Sequence, residues 1–262
     1  MDLAIRGRVA LVCGGSRGIA YAAAEDFARE GCDLFICSRD ATSLDAARTK
    51  LEALGARVEH AVADLATPEG IAHVVERVNA TYGKVDILIC NTGGPPTGAT
   101  MAHDWAAWSK ASELLLRSVV ELTSAFVPGM QERKWGRVVA ITSLAVKRPQ
   151  PALVLSNSLR AAVTGYLRTL ANEVGKDGVT VNTVLPGFTA TERLDDLAAA
   201  NSARTGQGRD AIFAGWEAES PLNRIGRPDE LAAVIVFLCS ARAGFMTGQQ
   251  VLVDGGAVNA LI

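Results

Sequence analysis

Short, almost uniformly apolar runs alternate along the chain with longer stretches whose apolar residues recur every three or four positions. The runs predict buried strands over 8–13 (RVALVC), 33–37, 58–62, 85–90, 137–142, 179–185 and 250–253. The periodic stretches predict helices over 18–30, 42–54, 68–82, 105–130, 152–175 and 229–240, two of them closed by Gly55 and Gly83. Strands that are apolar on both faces and separated by helices belong to a parallel sheet covered on both sides. No linker or repeat divides the chain, so the pattern predicts one α/β domain over 1–262, a doubly wound parallel sheet with helices on both faces. The exception is 187–228, rich in Ala, Arg, Asp, Glu and Gly and without strand pattern. Irregular stretches of that length inside a compact domain usually serve function, and this one is expected to be a substrate lid.

Composition narrows the class. A chain of 262 residues buries a core large enough to need neither disulfides nor metal. No apolar run approaches the roughly 18 residues of a membrane span. The start, MDLAIRGRVALVCGG, lacks a signal-peptide core and cleavage site. A net charge of -2 gives no electrostatic reason to expect nucleic acid or an acidic membrane as partner. The five cysteines, Cys13, Cys32, Cys37, Cys90 and Cys239, form no C-x-x-C pair and read as small buried residues in a reducing, cytoplasmic compartment.

Candidate chemistry begins at the first strand–helix junction, Cys13-Gly14-Gly15-Ser16-Arg17-Gly18-Ile19-Ala20. Glycines there allow a tight turn and let backbone N–H groups approach a pyrophosphate at a helix N-terminus. Its place between first strand and first helix makes nucleotide binding the expectation, with Gly14, Ser16, Arg17, Gly18 and Ile19 as contacts. An acid directly after the second strand would hold a ribose 2′-hydroxyl. This chain has Ser38-Arg39 instead, and the two arginines Arg17 and Arg39 suit a 2′-phosphate, so NADP(H) is the expected cofactor.

With these segments in view, the chain resembles the short-chain dehydrogenase/reductase family over essentially its whole length. The glycine turn resembles the family's T-G-x-x-x-G-I-G. Asp64-Leu65 resembles the adenine-contacting pair after the third strand, and Cys90-Asn91-Thr92-Gly93 the N-N-A-G segment after the fourth. Pro186-Gly187 with Thr189 and Thr191 resembles the segment that binds the nicotinamide carboxamide, and TGQQVLVDGG (247–256) the last strand, common at a tetramer interface. The resemblance implies a single-domain Rossmann-type fold, a small-molecule substrate and a homotetramer or homodimer. It adds Asp64, Leu65, Asn91, Gly93, Pro186, Gly187, Thr189 and Thr191 to the cofactor site.

The family's chemistry uses Asn, Ser, Tyr and Lys. The serine holds the substrate oxygen; the tyrosine passes the proton, its pKa drawn from about 10 towards neutrality by the lysine cation. The lysine also binds the nicotinamide ribose. Ser143 matches the serine. Thirteen residues on, the tyrosine position is Ser156, and four beyond, the lysine position is Arg160. The asparagine position falls in Leu114-Leu115-Leu116 and is assigned to Leu115. A serine is neither as acidic as a phenol nor as long, and Arg160 binds the ribose and supplies a field but does not readily lend a proton.

A substitute acid is therefore expected. Lys147, four residues past Ser143 in the loop that walls the family's substrate pocket, is the first candidate, because an amine near Arg160 would have a lowered pKa. His103, after NTGGPPTG, is a second; Tyr21, Tyr82, Tyr166, His60 and His73 lie elsewhere. Arg148 reads as an anion contact or a solvated residue. Met101, Trp105, Trp108, Phe188 and Trp216 are candidates for an apolar wall. Arg193, Arg204, Arg209 and Arg224 in the lid suit a carrier-linked or otherwise anionic substrate, or a solvated face. The leading expectation is an NADP(H)-dependent oxidoreductase acting on a carbonyl or secondary alcohol, of 3-oxoacyl type among others, with a non-standard proton donor. The alternative is an NADP(H)-binding protein without turnover, a sensor or an inactive partner subunit. A non-redox anion site, as in the family's halohydrin dehalogenases, ranks last because the glycine turn is retained.

Overall fold

The structure, a computed structural model, describes residues 2–261. Seven strands form one sheet: β1 (Val9–Cys13), β2 (Asp33–Ser38), β3 (Val58–Val62), β4 (Ile87–Cys90), β5 (Gly136–Ile141), β6 (Val179–Pro186) and β7 (Gln250–Val253). Their order is β3-β2-β1-β4-β5-β6-β7, and every neighbouring pair is parallel. This is the expected doubly wound, Rossmann-like α/β fold. The predicted strand 85–90 is shorter than expected because Val85 and Asp86 form its approach, with Asp86 accepting from the Val9 backbone N–H at 3.0 Å.

Alternation of side chains along β1 divides the core between two layers. Ala10 and Val12 face one side with α1 (Gly18–Arg29), α2 (Ala41–Glu52) and α9 (Pro228–Leu238). Leu11 and Cys13 face the other, with α3 (Pro68–Tyr82), α5 (Ser118–Glu132) and α6 (Val154–Val174). All five cysteines are buried and unpaired, as their composition suggested. No helix among the described residues is long and apolar enough to cross a membrane.

Two stretches depart from the expected pattern. The predicted helix 105–130 is two helices, α4 (Trp105–Ser112) and α5, joined by a π-helical turn at Glu113–Arg117. The stretch 187–228, expected to be irregular, holds α7 (Glu192–Thr205) and α8 (Arg209–Ala218). Their periodicity is faint because each buries so little: Leu194 and Ala198 on α7, Ile212 alone on α8. Both ends of this excursion are tied together, since Thr189 and Gly226 form a parallel bridge and Ala190 N–H donates to the Gly226 carbonyl at 2.9 Å.

Candidate active site

Strand order reverses between β1 and β4, and parallel sheets place ligands outside the carboxyl ends of the strands at such a point. A cleft of about 490 Å³ lies there, floored by the residues that follow β1, β2, β4, β5 and β6. It gathers every expected cofactor residue: Gly14, Ser16, Arg17, Gly18, Ile19, Ser38, Arg39, Asp64, Leu65, Asn91, Gly93, Arg160, Pro186, Gly187, Thr189 and Thr191.

The first junction has the form a dinucleotide requires. Gly14 and Gly18 adopt φ of +64° and +63°, and a Cβ on Gly14 would stand 2.5 Å from Asn91 Nδ2. That amide donates to the Cys13 carbonyl at 3.3 Å, fixing β4 against the turn. No side chain caps α1, so the N–H groups of its first turn are left for a ligand at the positive end of the helix dipole. These features fit a pyrophosphate.

Around the second strand the arginines divide. Arg17 is engaged with Glu192 at the start of α7. Arg39 makes no hydrogen bond or ion pair among the described residues. Asp40 is turned to cap α2, accepting from Ser43 N–H at 3.1 Å, and its hydrogen bonds from Ser43 hold its carboxyl below the ordinary range. The acid nearest the ribose end is thus committed to a helix, and a cation stands free beside it.

The other end of the cleft holds the catalytic candidates. Ser143 follows β5 and caps a short 3₁₀ turn, its Oγ accepting from Ala145 N–H at 3.1 Å. Ser156 is buried in the first turns of α6, and its Oγ accepts from Arg160 Nε at 3.1 Å. Arg160 Nη1 donates to the Ile141 carbonyl at 3.0 Å. Burial first, and the Arg193 cation second, pull the Arg160 pKa down to about 10, which leaves it charged at neutral pH. Each serine hydroxyl has an acceptor position filled by an N–H, so its own hydrogen is free to donate to a substrate oxygen.

The remaining candidates fall outside. Lys147 is exposed at the end of the 3₁₀ turn and does not line the cleft, because that turn carries it outward past Ala145. His103 packs against Gly98 with Nε2 buried and unpartnered, away from the cleft lining. Tyr166 is committed to Thr123 at 2.7 Å, and His60 to Asp45 at 3.2 Å. No Tyr, His or Lys side chain among the described residues lines the cleft. Arg148 is part-exposed outside the cleft, where it donates to the Ala257 carbonyl at 2.9 Å and pairs with the carboxylate of Glu219. Leu114, rather than Leu115, reaches the cleft; Leu115 sits in a small cluster with Ala111, Leu155 and Leu159, since the π-helical turn rotates it inward. Of the five apolar wall candidates only Phe188 lines the cleft, stacked on Trp216 at 5.0 Å between ring centroids. Met101 and Trp105 are exposed, and Trp108 packs against the cluster that holds Leu115.

Arg193 is a cleft residue that sequence reasoning placed only among the charges of the lid. Its guanidinium lies against Gly94 and donates to the Pro95 carbonyl at 3.3 Å. The signal available was its place two residues past Thr191, on the first turn of α7.

The same fold occurs in known proteins. L-sorbose reductase from Gluconobacter frateurii, solved with NADPH and L-sorbose, superposes with a TM-score of 0.94 and 35% identity over 100% of both chains. A variant of actinorhodin polyketide ketoreductase, solved with NADPH, gives 0.92 and 29% over 97% of this chain and 98% of that one. The 3-oxoacyl-[acyl-carrier-protein] reductase FabG of Escherichia coli is 33% identical over 250 residues, 95% of this chain and 97% of its own length. A family model described as enoyl-(acyl carrier protein) reductase matches residues 14–258, from the glycine turn to beyond the last strand. On the fold, the glycine turn and this likeness along nearly its whole length, the chain belongs to the short-chain dehydrogenase/reductase family.

Proposed function

We propose that the protein is an NADP(H)-dependent oxidoreductase that interconverts a carbonyl and a secondary alcohol, with the substrate oxygen held by Ser143, Ser156 and Arg160 rather than by a phenol acid. The observation that carries the reading is the pair of serines whose hydroxyl hydrogens are free to donate, beside a cation in one cleft. Relatives solved with NADPH support the cofactor, and the free Arg39 beside a committed Asp40 supports the phosphorylated form. When bound, NADP(H) supplies or takes up the hydride.

The chain's own residues then have three tasks. The glycine turn and the first turn of α1 bind the pyrophosphate, Asp64 and Leu65 flank the adenine, and Thr189 and Thr191 hold the carboxamide end. Ser143 and Ser156 donate to the substrate oxygen as negative charge grows on it, and Arg160 stabilises that charge through its field. With no Tyr, His or Lys lining the cleft, the proton reaches the oxygen from water. Forgoing a positioned acid costs about 10²–10⁴ in rate, so turnover is expected to be slow beside that of a relative with a complete tetrad.

We take α7 and α8 as the cover over the cleft. The Arg17–Glu192 pair, which latches α7 to the glycine turn, supports this. The likeness of 247–256 to the family's interface strand supports a homotetramer or homodimer, and five free, buried cysteines support a cytoplasmic setting. A second reading, NADP(H) binding without turnover, is favoured by the same lack of a Tyr, His or Lys in the cleft lining among the described residues.

The test is deuteride transfer from stereospecifically labelled NADPH to a carbonyl panel headed by 3-oxoacyl thioesters and ketoses, the groups that relatives' names suggest. Transfer from one face of the nicotinamide supports the oxidoreductase. Tight NADPH binding with no transfer to any member supports the second reading and overturns the first.

A further inference from the structure

We infer that the substrate carries an oxyanionic group, a carboxylate or phosphate, next to its reacting oxygen, and that Arg193 with Arg160 receives it. This rests on the oxidoreductase reading for the identity of the ligand, but its electrostatic basis does not.

Most arginines around the cleft and its cover are already answered. Arg17 pairs with Glu192, Arg209 with Asp195 at 2.5 Å and Arg224 with Glu230 at 2.5 Å, while Arg204 donates to Asn201 at 2.5 Å. Arg160 and Arg193 differ. Neither forms an ion pair among the described residues, and each donates only to neutral oxygens: Ser156 and Ile141 for the first, Pro95 for the second. Asp196 is felt by Arg193 but lies beyond ion-pair distance. Arg160 Nη2 has no protein partner among the described residues.

Arg193 also acts on Arg160. After burial, the nearness of Arg193 is what depresses the Arg160 pKa, so the folded chain holds two like charges together in a partly dry wall. Such an arrangement is unfavourable unless a counter-charge joins it. The dinucleotide's phosphates have their own receivers at the opposite end, where the uncapped first turn of α1 and the free Arg39 stand. At the Ser143–Ser156 end Asp196 stands beyond ion-pair distance, and the group left to bring an oxyanion into contact with the guanidinium groups is the substrate. A guanidinium fork suits carboxylate and phosphate oxygens equally.

The experiment separates this from turnover by using NADP⁺, which forms a ternary complex with a ketone but cannot reduce it. Titration calorimetry of the protein with and without NADP⁺ would compare acetoacetate with methyl acetoacetate, and dihydroxyacetone phosphate with dihydroxyacetone. The expected result is that at least one anion binds roughly ten- to a hundred-fold more tightly than its neutral partner. Which arm responds tells carboxylate from phosphate. In Arg193→Gln that preference should vanish while NADP⁺ affinity changes by less than about threefold. An unchanged preference in the variant, no preference in either arm, or a loss of NADP⁺ affinity of tenfold or more would each overturn the proposal; the last would assign Arg193 to the dinucleotide. Anion binding without hydride transfer from NADPH would leave it standing and remove the oxidoreductase reading instead.

Discussion

Arg160 rests on Ser156, one helical turn before it, with Nε donating to the serine Oγ at 3.1 Å. On the proposed reading these two residues stand where the family keeps its tyrosine and lysine, and the coupling between them is inverted. In the family's arrangement a cation makes a phenol acidic. Here the cation occupies the serine's acceptor position, orients its hydroxyl outward and remains charged itself. On that reading the site holds an oxyanion and, among the described residues, has no Tyr, His or Lys in its lining to protonate it.

The first test follows from that inversion. The double substitution Ser156→Tyr with Arg160→Lys restores a phenol beside an amine in the wall where the family keeps them. Ketone reduction should rise by about 10²–10⁴, the usual worth of a positioned acid, with NADPH affinity little changed. Steady-state kcat on the best ketone of the panel checks it. No gain, in a variant that still binds NADPH, would mean that this wall is not the proton-transfer site.

Ser143 is expected to contribute as an oxyanion donor. Its Oγ already accepts from Ala145 N–H, so its role toward a substrate is donation. Ser143→Ala should lower kcat by roughly 10²–10³ and leave the NADPH dissociation constant unchanged. A matching loss in both quantities would show that the change had disturbed the turn after β5 instead.

Cofactor choice should depend on Arg39 more than on Arg17. Arg17 is held by Glu192, whereas Arg39 is unengaged and Asp40 is committed to α2. Removing a charge-assisted contact costs about 1.5–3 kcal/mol, so Arg39→Ala should weaken NADPH by roughly ten- to a hundred-fold and spare NADH. Fluorescence titration with both nucleotides reads this directly. Equal weakening of both would move Arg39 from the 2′-phosphate to the adenine face.

The strands and the phosphate turn were legible because their physics is local: uniform apolar runs such as RVALVC have one place to go, and glycines at positive φ mark a turn that other residues resist. All the cofactor positions derived from such segments meet in one cleft. What escaped depends on direction rather than composition. Lys147 and Arg193 are both cations in segments near the site, yet the 3₁₀ turn after Ser143 points one outward and the first turn of α7 points the other inward. The π-helical turn exchanges Leu114 for Leu115 by the same kind of rotation, invisible in a run of three leucines. Helices α7 and α8 escaped because each has so little apolar surface to bury.

The junction between α8 and α9 should be acid-sensitive. Glu230, on the first turn of α9, accepts two hydrogen bonds from Arg224, at 2.8 and 2.5 Å, and one from the Arg227 N–H at 2.8 Å. The Arg224 hydrogen bonds, followed by the Arg227 N–H, lower its pKa from 4.5 to about 2. A carboxyl depressed on folding stabilises the native state fully above its unfolded pKa and loses that contribution as pH falls towards the folded value. Glu230→Gln, which cannot carry the charge, should therefore melt below the wild type at pH 7 by a constant margin down to about pH 5. The margin should close progressively between the ordinary glutamate value and pH of about 2, where both proteins have lost the charge. Melting curves of the two proteins at matched ionic strength across that range decide it. A margin that stayed constant to the acid end would show that the clamp acts through side-chain shape and not through its charge.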